Sequence, residues 1–308
     1  MLLVNPFSSS VTARTRVVIR KALAGDHDVE FVETSRRGHA TRLAQGAAVD
    51  GFDVVICLGG DGTVNETANG LVGTSTALGV LPGGSTNVFA RTIGLPNEPV
   101  ESTAMLLEAM EQRSIRRIGL GSVNGRYYCF HVGIGYDAAL VEQVERRSGL
   151  KRWAGHPLFM YAGMSTWFKH YDTKQPHFTV RFADGEVVPD GYFTVVANTN
   201  PYTFVGNKPF DIAPEATLDS GLAVVTVRSL RVDHLLGIMS RALKGDGSLA
   251  SHPQVNYRTD VEELVVEAIG GRPFPYQVDG DFLGEITRLE LRHVPNAMDL
   301  LMPVGTEA

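Results

Sequence analysis

Hydrophobic and polar positions change regime once along the chain. Over roughly the first 120 residues, short apolar runs alternate with stretches of helical spacing. Residues 1–4, 28–32, 52–58 and 77–81 read as strands; 52–58 is β-branched and apolar on both faces, as in a parallel strand covered on each side. Between and after them, Val11, Val18 and Ala22 mark a helix ending near Gly25, and His39–Val49 is Ala-rich at helical spacing. Val64, Ala68 and Leu71 share a face, as do Val88, Phe89 and Ile93. Pro99 then starts a helix, with Val100, Ala104, Leu107 and Glu111 on its expected face. The order βαβαβαβα predicts a three-layer α/β/α domain around a parallel sheet.

From Ile115 the pattern becomes short β-rich runs at 119–123, 126–134, 178–182, 192–198, 222–227, 261–266, 274–278 and 286–291. Asn124-Gly125 and Asp184-Gly185 are hairpin signals, so a mostly antiparallel β domain is expected from near Gly121. Two helical stretches interrupt it. Residues 231–244 carry Val232, Leu235, Leu236, Met239, Ala242 and Leu243, with Gly245 as a stop, and predict a surface helix packed on a sheet. Residues 146–171 combine Arg146, Arg147, Lys151 and Arg152 with Trp153, Phe159, Met160, Tyr161, Met164, Trp167 and Phe168. That stretch reads either as an interfacial element meeting anionic lipid or as a solvated charge run beside a core helix.

Candidate chemistry sits where strands break into glycines. Gly59-Gly60-Asp61-Gly62-Thr63-Val64-Asn65-Glu66 reads as strand, tight loop and helix, with Thr63 and Glu66 spaced as a capping box. Glycines there permit positive φ and leave no Cβ between a ligand and the backbone, and N–H groups at the helix start offer an anion site. The spacing is neither a P-loop nor G-x-G-x-x-G. Asp61 would repel a bare phosphate; it either holds Mg²⁺ against phosphates or takes a turn or cap. A second loop, Pro82-Gly83-Gly84 with Ser85 as N-cap, follows the next strand, and two such loops side by side predict a nucleotide crevice. Near the C-terminus, Gln277-Val278-Asp279-Gly280-Asp281 places two carboxylates at a turn, where the glycine would let both face one site. A bare Asp-Gly-Asp is equally an ordinary β-turn.

Composition narrows the class. With 308 residues, 44% hydrophobic and 20% charged, the chain reads as an ordinary globular protein of about two domains. A formal charge of −6 argues against a nucleic-acid partner. Cys57 and Cys129 lie in apolar runs without a Cys-x-x-Cys, so a reduced cytosolic compartment and no zinc site are expected. The apolar start before Asn5 is too short for a signal peptide, and no run of about 18 apolar residues occurs; neither export nor membrane spanning is expected.

Five blocks in order, Asn5-Pro6-Phe7-Ser8-Ser9, Gly59 to Glu66, Leu81-Pro82-Gly83-Gly84-Ser85-Thr86-Asn87-Val88-Phe89-Ala90-Arg91, Gly135-Tyr136-Asp137-Ala138 and Val278-Asp279-Gly280-Asp281, resemble the diacylglycerol kinase catalytic family. The resemblance runs over nearly the whole chain. It implies an N-terminal ATP-binding α/β domain over 1–120, rejoined by a returning strand in about 293–308, and a C-terminal β-sandwich lipid-substrate domain over 121–292. It implies ATP and Mg²⁺ as cofactors. The nucleotide set would be Asn5, Pro6, Phe7, Ser8, Ser9, Thr34, Gly59, Gly60, Asp61, Gly62, Thr63, Asn65, Glu66, Gly83, Gly84, Ser85 and Asn87. Ser9 stands where the family usually has glycine, and Thr34 is also readable as a plain hydroxyl at a strand end.

The same resemblance places Asp137 at a substrate or interdomain cleft and Asp281, where the family usually has glutamate, as proton acceptor. Asp279 is its rival as base or Mg²⁺ ligand. A structural Mg²⁺ site at Thr217, Ser220 and Leu222 is expected to bind weakly or not at all, because Asp219-Ser220-Gly221 replaces the family's frequent Asp-Asp-Gly. The implied activity is an ATP-dependent lipid kinase, with diacylglycerol leading and a sphingoid base or another glycerolipid as alternatives. A soluble-substrate kinase of NAD kinase type and a non-catalytic binder also remain open. The expected partner is lipid at a bilayer surface, met by a cytoplasmic protein peripheral to the inner face of the membrane; a homodimer is left open.

Overall fold

The computed structural model describes residues 1–145 and 171–306. The cationic and aromatic stretch of 146–170 singled out above lies outside the described residues. The chain divides into two compact units, Met1–Leu120 with Val294–Ala308, and Gly121–His293. The expected fold class, a parallel α/β unit followed by an antiparallel β-sandwich, is what the chain forms.

In the first unit, β1 (Leu2–Val4), β2 (Phe31–Glu33), β3 (Val54–Gly59), β4 (Ala77–Pro82) and the end of β18 (Arg288–Leu301) make a parallel sheet in the order β2-β1-β3-β4-β18. Leu2 to Val4, Val55 to Leu58 and Ala77 to Leu81 are buried throughout, which explains their unbroken apolar character. Helices α1 (Ala13–Leu23), α2 (His39–Val49), α3 (Asp61–Leu71), α4 (Val88–Thr92) and α5 (Pro99–Glu111) connect the strands. The α2 bounds match the expectation, and Ala40, Ala44 and Ala47 form its buried face. For α5 the expected face is wrong: Pro99, Ser102, Thr103, Leu106 and Ala109 are buried, while Val100 is exposed. Small hydroxyls can face inward because the backbone satisfies them, Ser102 Oγ donating to Pro96 O and Thr103 Oγ1 to Pro99 O.

In the second unit, one six-stranded antiparallel sheet has the order β14-β13-β10-β7-β16-β17. Its strands are β7 (His131–Gly135), β10 (Phe193–Ala197), β13 (Leu222–Val227), β14 (Val255–Val261), β16 (Phe274–Val278) and β17 (Asp281–Ile286). The other sheet pairs β8 (Phe178–Phe182) with β9 (Val187–Gly191) and with β15 (Glu263–Ala268), and β15 with the start of β18. One core, including Val132, Ile134, Phe178, Val196, Val224, Leu264, Phe274 and Leu289, draws side chains from both sheets, as a sandwich requires. The hairpin from β5 (Ile115–Val123) to β6 (Arg126–Tyr128) turns at Asn124 and Gly125, both at positive φ, as its sequence predicts. Helix α6 (Tyr136–Glu145) follows β7, and α7 (Val232–Lys244) covers the outer face of the six-stranded sheet.

Candidate active-site elements

Each unit carries its own share of the predicted residues. In the first, the β3–α3 and β4–α4 turns pack backbone to backbone. A Cβ on Gly83 would lie 2.8 Å from Gly59 Cα, and one on Gly84 2.9 Å from Gly60 Cα. None of these four glycines has positive φ, so their requirement is loop-to-loop contact rather than unusual dihedrals. The Gly83 N–H donates to Gly59 O (2.8 Å) and the Gly84 N–H to Asn87 Oδ1 (2.7 Å). The first bond joins the two turns and the second closes the β4–α4 turn, so both N–H groups are engaged within the protein.

The helix caps also differ from expectation. The N-cap of α3 is Gly60, and Thr63 and Glu66 form no capping box. Thr63 Oγ1 accepts from Asn5 Nδ2 (2.9 Å), while Asn5 Oδ1 accepts from the Phe7 N–H (3.0 Å); Asn5 thus ties the first loop to α3. The Glu66 carboxylate accepts from the Gly38 and Ala40 N–H groups (2.7 and 3.2 Å), capping α2, whose N-cap Gly38 has no side chain to do so. Asn87, not Ser85, is the N-cap of α4; it is buried at φ 52° and its amide bonds Gly84 O and Asn97 Oδ1.

Asp61 supplies the cap that α4 lacks. Its Oδ2 accepts from the Val88 N–H (3.0 Å) and its Oδ1 from the Phe89 N–H (3.1 Å), a carboxylate at a helix start where the dipole favours it. Asn65 is buried with its carbonyl accepting from Asn69 Nδ2, and Thr34 is buried with its N–H on Val4 O. Glu66 and Asn87 thus serve as caps within the fold. Phe7, Ser9 and Ser85 are exposed, and Pro6, Ser8, Asp61 and Gly62 half-buried. At the start of α3 the Thr63 and Val64 N–H groups donate to Gly60 O (2.8 and 3.1 Å).

In the second unit, the β16–β17 turn settles the geometry of the paired carboxylates. Val278 pairs with Asp281 across a two-residue loop, with Asp279 at φ 48° and Gly280 at φ 81°, the Asp-Gly hairpin turn with both positions left-handed. Asp279 points inward: Oδ2 accepts from the Cys129 N–H (2.7 Å) and Oδ1 from the Phe130 and His131 N–H groups (2.9 and 3.0 Å). It bridges the β6–β7 break. Asp281, two residues on, is half-exposed, whereas Asp279 is buried and held by the backbone.

A buried polar cluster supports that turn. A Cβ on Gly133 would fall 1.5 Å from Asp137 Oδ2, so glycine there makes room for the Asp137 carboxylate. Asp137 accepts from Tyr202 Oη and from Gln277 Nε2 (2.8 Å), and Gln277 Oε1 accepts from the Gly280 N–H (2.8 Å). Burial raises the Asp137 carboxyl above its ordinary range, against the two hydrogen bonds that lower it. His131 stacks on Tyr202 at 4.3 Å, and burial pushes its imidazole down to about 3, so it is neutral. Gln277, Tyr202 and His131 were not legible as a set; Gly133, four residues before Asp137, was the sequence signal for the vacant Cβ.

The metal expectations divide. Mg²⁺ in phosphoryl-transfer sites takes one or two carboxylates and completes its shell with phosphates and water. Asp61 fits by chemistry and place, a half-buried carboxylate at the paired glycine turns that carries two neutral N–H donors from α4. Asp279 does not fit, because three N–H groups already converge on a buried carboxylate. Thr217, Ser220 and Leu222 do not fit either: Ser220 Oγ donates to Thr217 O (3.1 Å) and accepts from the Thr217 N–H (3.0 Å), and the set holds no carboxylate. Among the described residues, no group of three or more His, Cys, Asp or Glu side chains is placed to hold a metal.

Residues 1–140 match the family model for the diacylglycerol kinase catalytic domain, and residues 131–302 that for the YegS C-terminal NAD kinase beta sandwich-like domain. A protein of Chromohalobacter salexigens named "Probable lipid kinase YegS-like" is 31% identical over 99% of this chain and 93% of its own. The chain belongs to the diacylglycerol kinase catalytic family. A Bacillus subtilis protein named diacylglycerol kinase is 29% identical over 74% of this chain and 73% of its own length. The fold is shared with a Bacillus anthracis diacylglycerol kinase structure (TM-score 0.71, 19% identity, 99% of this chain and 97% of that one). It is shared more distantly with an Archaeoglobus fulgidus NAD kinase solved with ATP (TM-score 0.55, 12% identity, 98% and 93%). Among the described residues no helix is long and apolar enough to cross a membrane.

Proposed function

We propose that the protein is an ATP-dependent lipid kinase that phosphorylates the hydroxyl of diacylglycerol to give phosphatidic acid. The observation that carries this reading is the pairing of the glycine turns after β3 and β4, fixed by Asp61 at the start of α4, within a chain that matches lipid-kinase relatives from end to end. The α3 N-terminus offers N–H donors to phosphate oxygens. Asp61 is the residue that would hold Mg²⁺, which when bound would neutralise charge on the phosphates. Asp281 takes the proton from the acceptor hydroxyl as its oxygen attacks the terminal phosphorus and ADP leaves. Asp279 holds the turn that presents Asp281.

Labelled ATP offered with diacylglycerol, sphingosine or NAD, the lipids in mixed micelles, tests the reading. Label in phosphatidic acid is expected. Label only in the NAD product would support a soluble-substrate kinase, the reading allied to the NAD kinase-like sandwich, and no transfer to any acceptor would leave a non-catalytic binder.

A further inference from the structure

Helix α7 packs on the sheet as its sequence predicts, but the sheet covers only part of its apolar face. Its apolar residues cover a continuous arc, but only the Ile238 and Ala242 side of that arc is buried, against Val195, Ala197, Val225 and Val227 on the outer face of β10 and β13. The adjoining side is open. Val232, Leu236, Met239 and Leu243 are 59, 64, 52 and 62% exposed. Their spacings of four, three and four residues place them in one line, roughly 16 Å long at 1.5 Å per residue. Soluble surfaces carry single exposed apolar side chains without consequence, but a contiguous stripe marks a contact surface.

We propose that this stripe docks the second unit on a lipid bilayer, with α7 lying in the interface plane. The inference rests on the lipid-kinase reading only for its biological sense, not for its geometry. Charge favours an anionic membrane: residues 231–244 hold Arg231, which pairs with Asp233, together with Arg241 and Lys244, a net +2 in a chain of −6, and Asp211 lies against Gly245 at the helix end. Lys208, on β12 (Lys208–Phe210), which pairs with β11 (Thr203–Val205) beside α7, is exposed as well. Asp246 lies just beyond the helix and is engaged by the Ser248 N–H.

Area argues against a second copy of the chain as occupant. Four half-exposed side chains offer a few hundred Å², the size of the largest patch on an ordinary monomer, whereas a stable protein interface needs about 800 Å² from each partner. A convex single-helix stripe with cations at its ends fits the headgroup and acyl boundary, where apolar faces sink roughly 5–10 Å.

The test is sedimentation of the full chain with vesicles of equimolar phosphatidylcholine and phosphatidylserine, without ATP. Neither lipid has a hydroxyl acceptor, so binding is read apart from catalysis. The variant Leu236→Gln/Leu243→Gln changes only exposed positions and should keep the wild-type circular dichroism spectrum and kcat on a water-soluble short-chain diacylglycerol. Its vesicle partition should fall at least tenfold, with both proteins monomeric by analytical ultracentrifugation. Equal partition of variant and wild type overturns the proposal. So does a wild-type dimer that the variant dissolves, which would assign the stripe to contact between copies. If vesicle binding is lost in the variant but neither protein phosphorylates any lipid, docking stands and the kinase reading falls.

Discussion

Two aspartates separated by one glycine do different work. Asp279 is held by three backbone N–H groups at the β6–β7 break, whereas Asp281 stands half-exposed across the turn. Asp279→Asn replaces one acceptor oxygen with a donor facing N–H groups, so a loss of about 1–3 kcal/mol of stability is expected. Higher Mg²⁺ should not restore activity, which distinguishes this role from that of a ligand. A second residue-scale prediction concerns His131, whose imidazole is pushed down to about 3 by burial. Above about pH 6.5 it is neutral folded or unfolded; below that, only the unfolded chain takes the proton, so stability falls as pH falls. The slope approaches 1.4 kcal/mol per pH unit at most, and Asp137, raised by burial, works in the opposite direction once it begins to protonate. His131→Phe keeps the ring contact, and Nδ1 makes no hydrogen bond that would be lost. Thermal midpoints from pH 7 to 5 should fall more in wild type than in the variant; parallel curves would remove His131 as the cause.

At the level of elements, regular periodicity was read well and its orientation less well. Helix α2 and the Asn124-Gly125 hairpin follow their local patterns, because alanine spacing and an Asn-Gly turn have few other solutions. The buried face of α5 was hidden by hydroxyls that bond to the preceding turn, and the packing of α7 by an apolar arc wider than the sheet covers. The caps at Asp61 and Glu66 were unreadable as such, since each serves a helix distant in sequence. The glycine loops were located correctly, but their reason is contact between loops. Gly84→Ala should therefore drive Cβ against Gly60 Cα, cost about 1–3 kcal/mol, and impair turnover on every substrate together. Ser85→Ala, exposed on the same loop, should leave the thermal midpoint unchanged. A normal midpoint for Gly84→Ala would contradict the close packing of the two turns.

For the whole molecule, the change of pattern near residue 120 corresponds to the change from parallel to antiparallel structure. The return of the chain rests on one strand, since Ala297, Met298, Leu300, Leu301 and Met302 are buried in the first unit and the Met302 N–H donates to Ser114 O. Leu300→Asp should remove hydrogen-exchange protection from β4 while β10 keeps its own; equal loss in both would show a single cooperative unit. The activity itself is most directly tested by phosphoryl transfer from labelled ATP to diacylglycerol in mixed micelles, with wild type and Asp281→Asn compared at saturating ATP. Labelled phosphatidic acid is expected from wild type, with kcat at least a hundredfold lower in the variant and ATP binding unchanged. Absence of transfer by the wild type, or near-normal kcat in Asp281→Asn, would contradict that expectation.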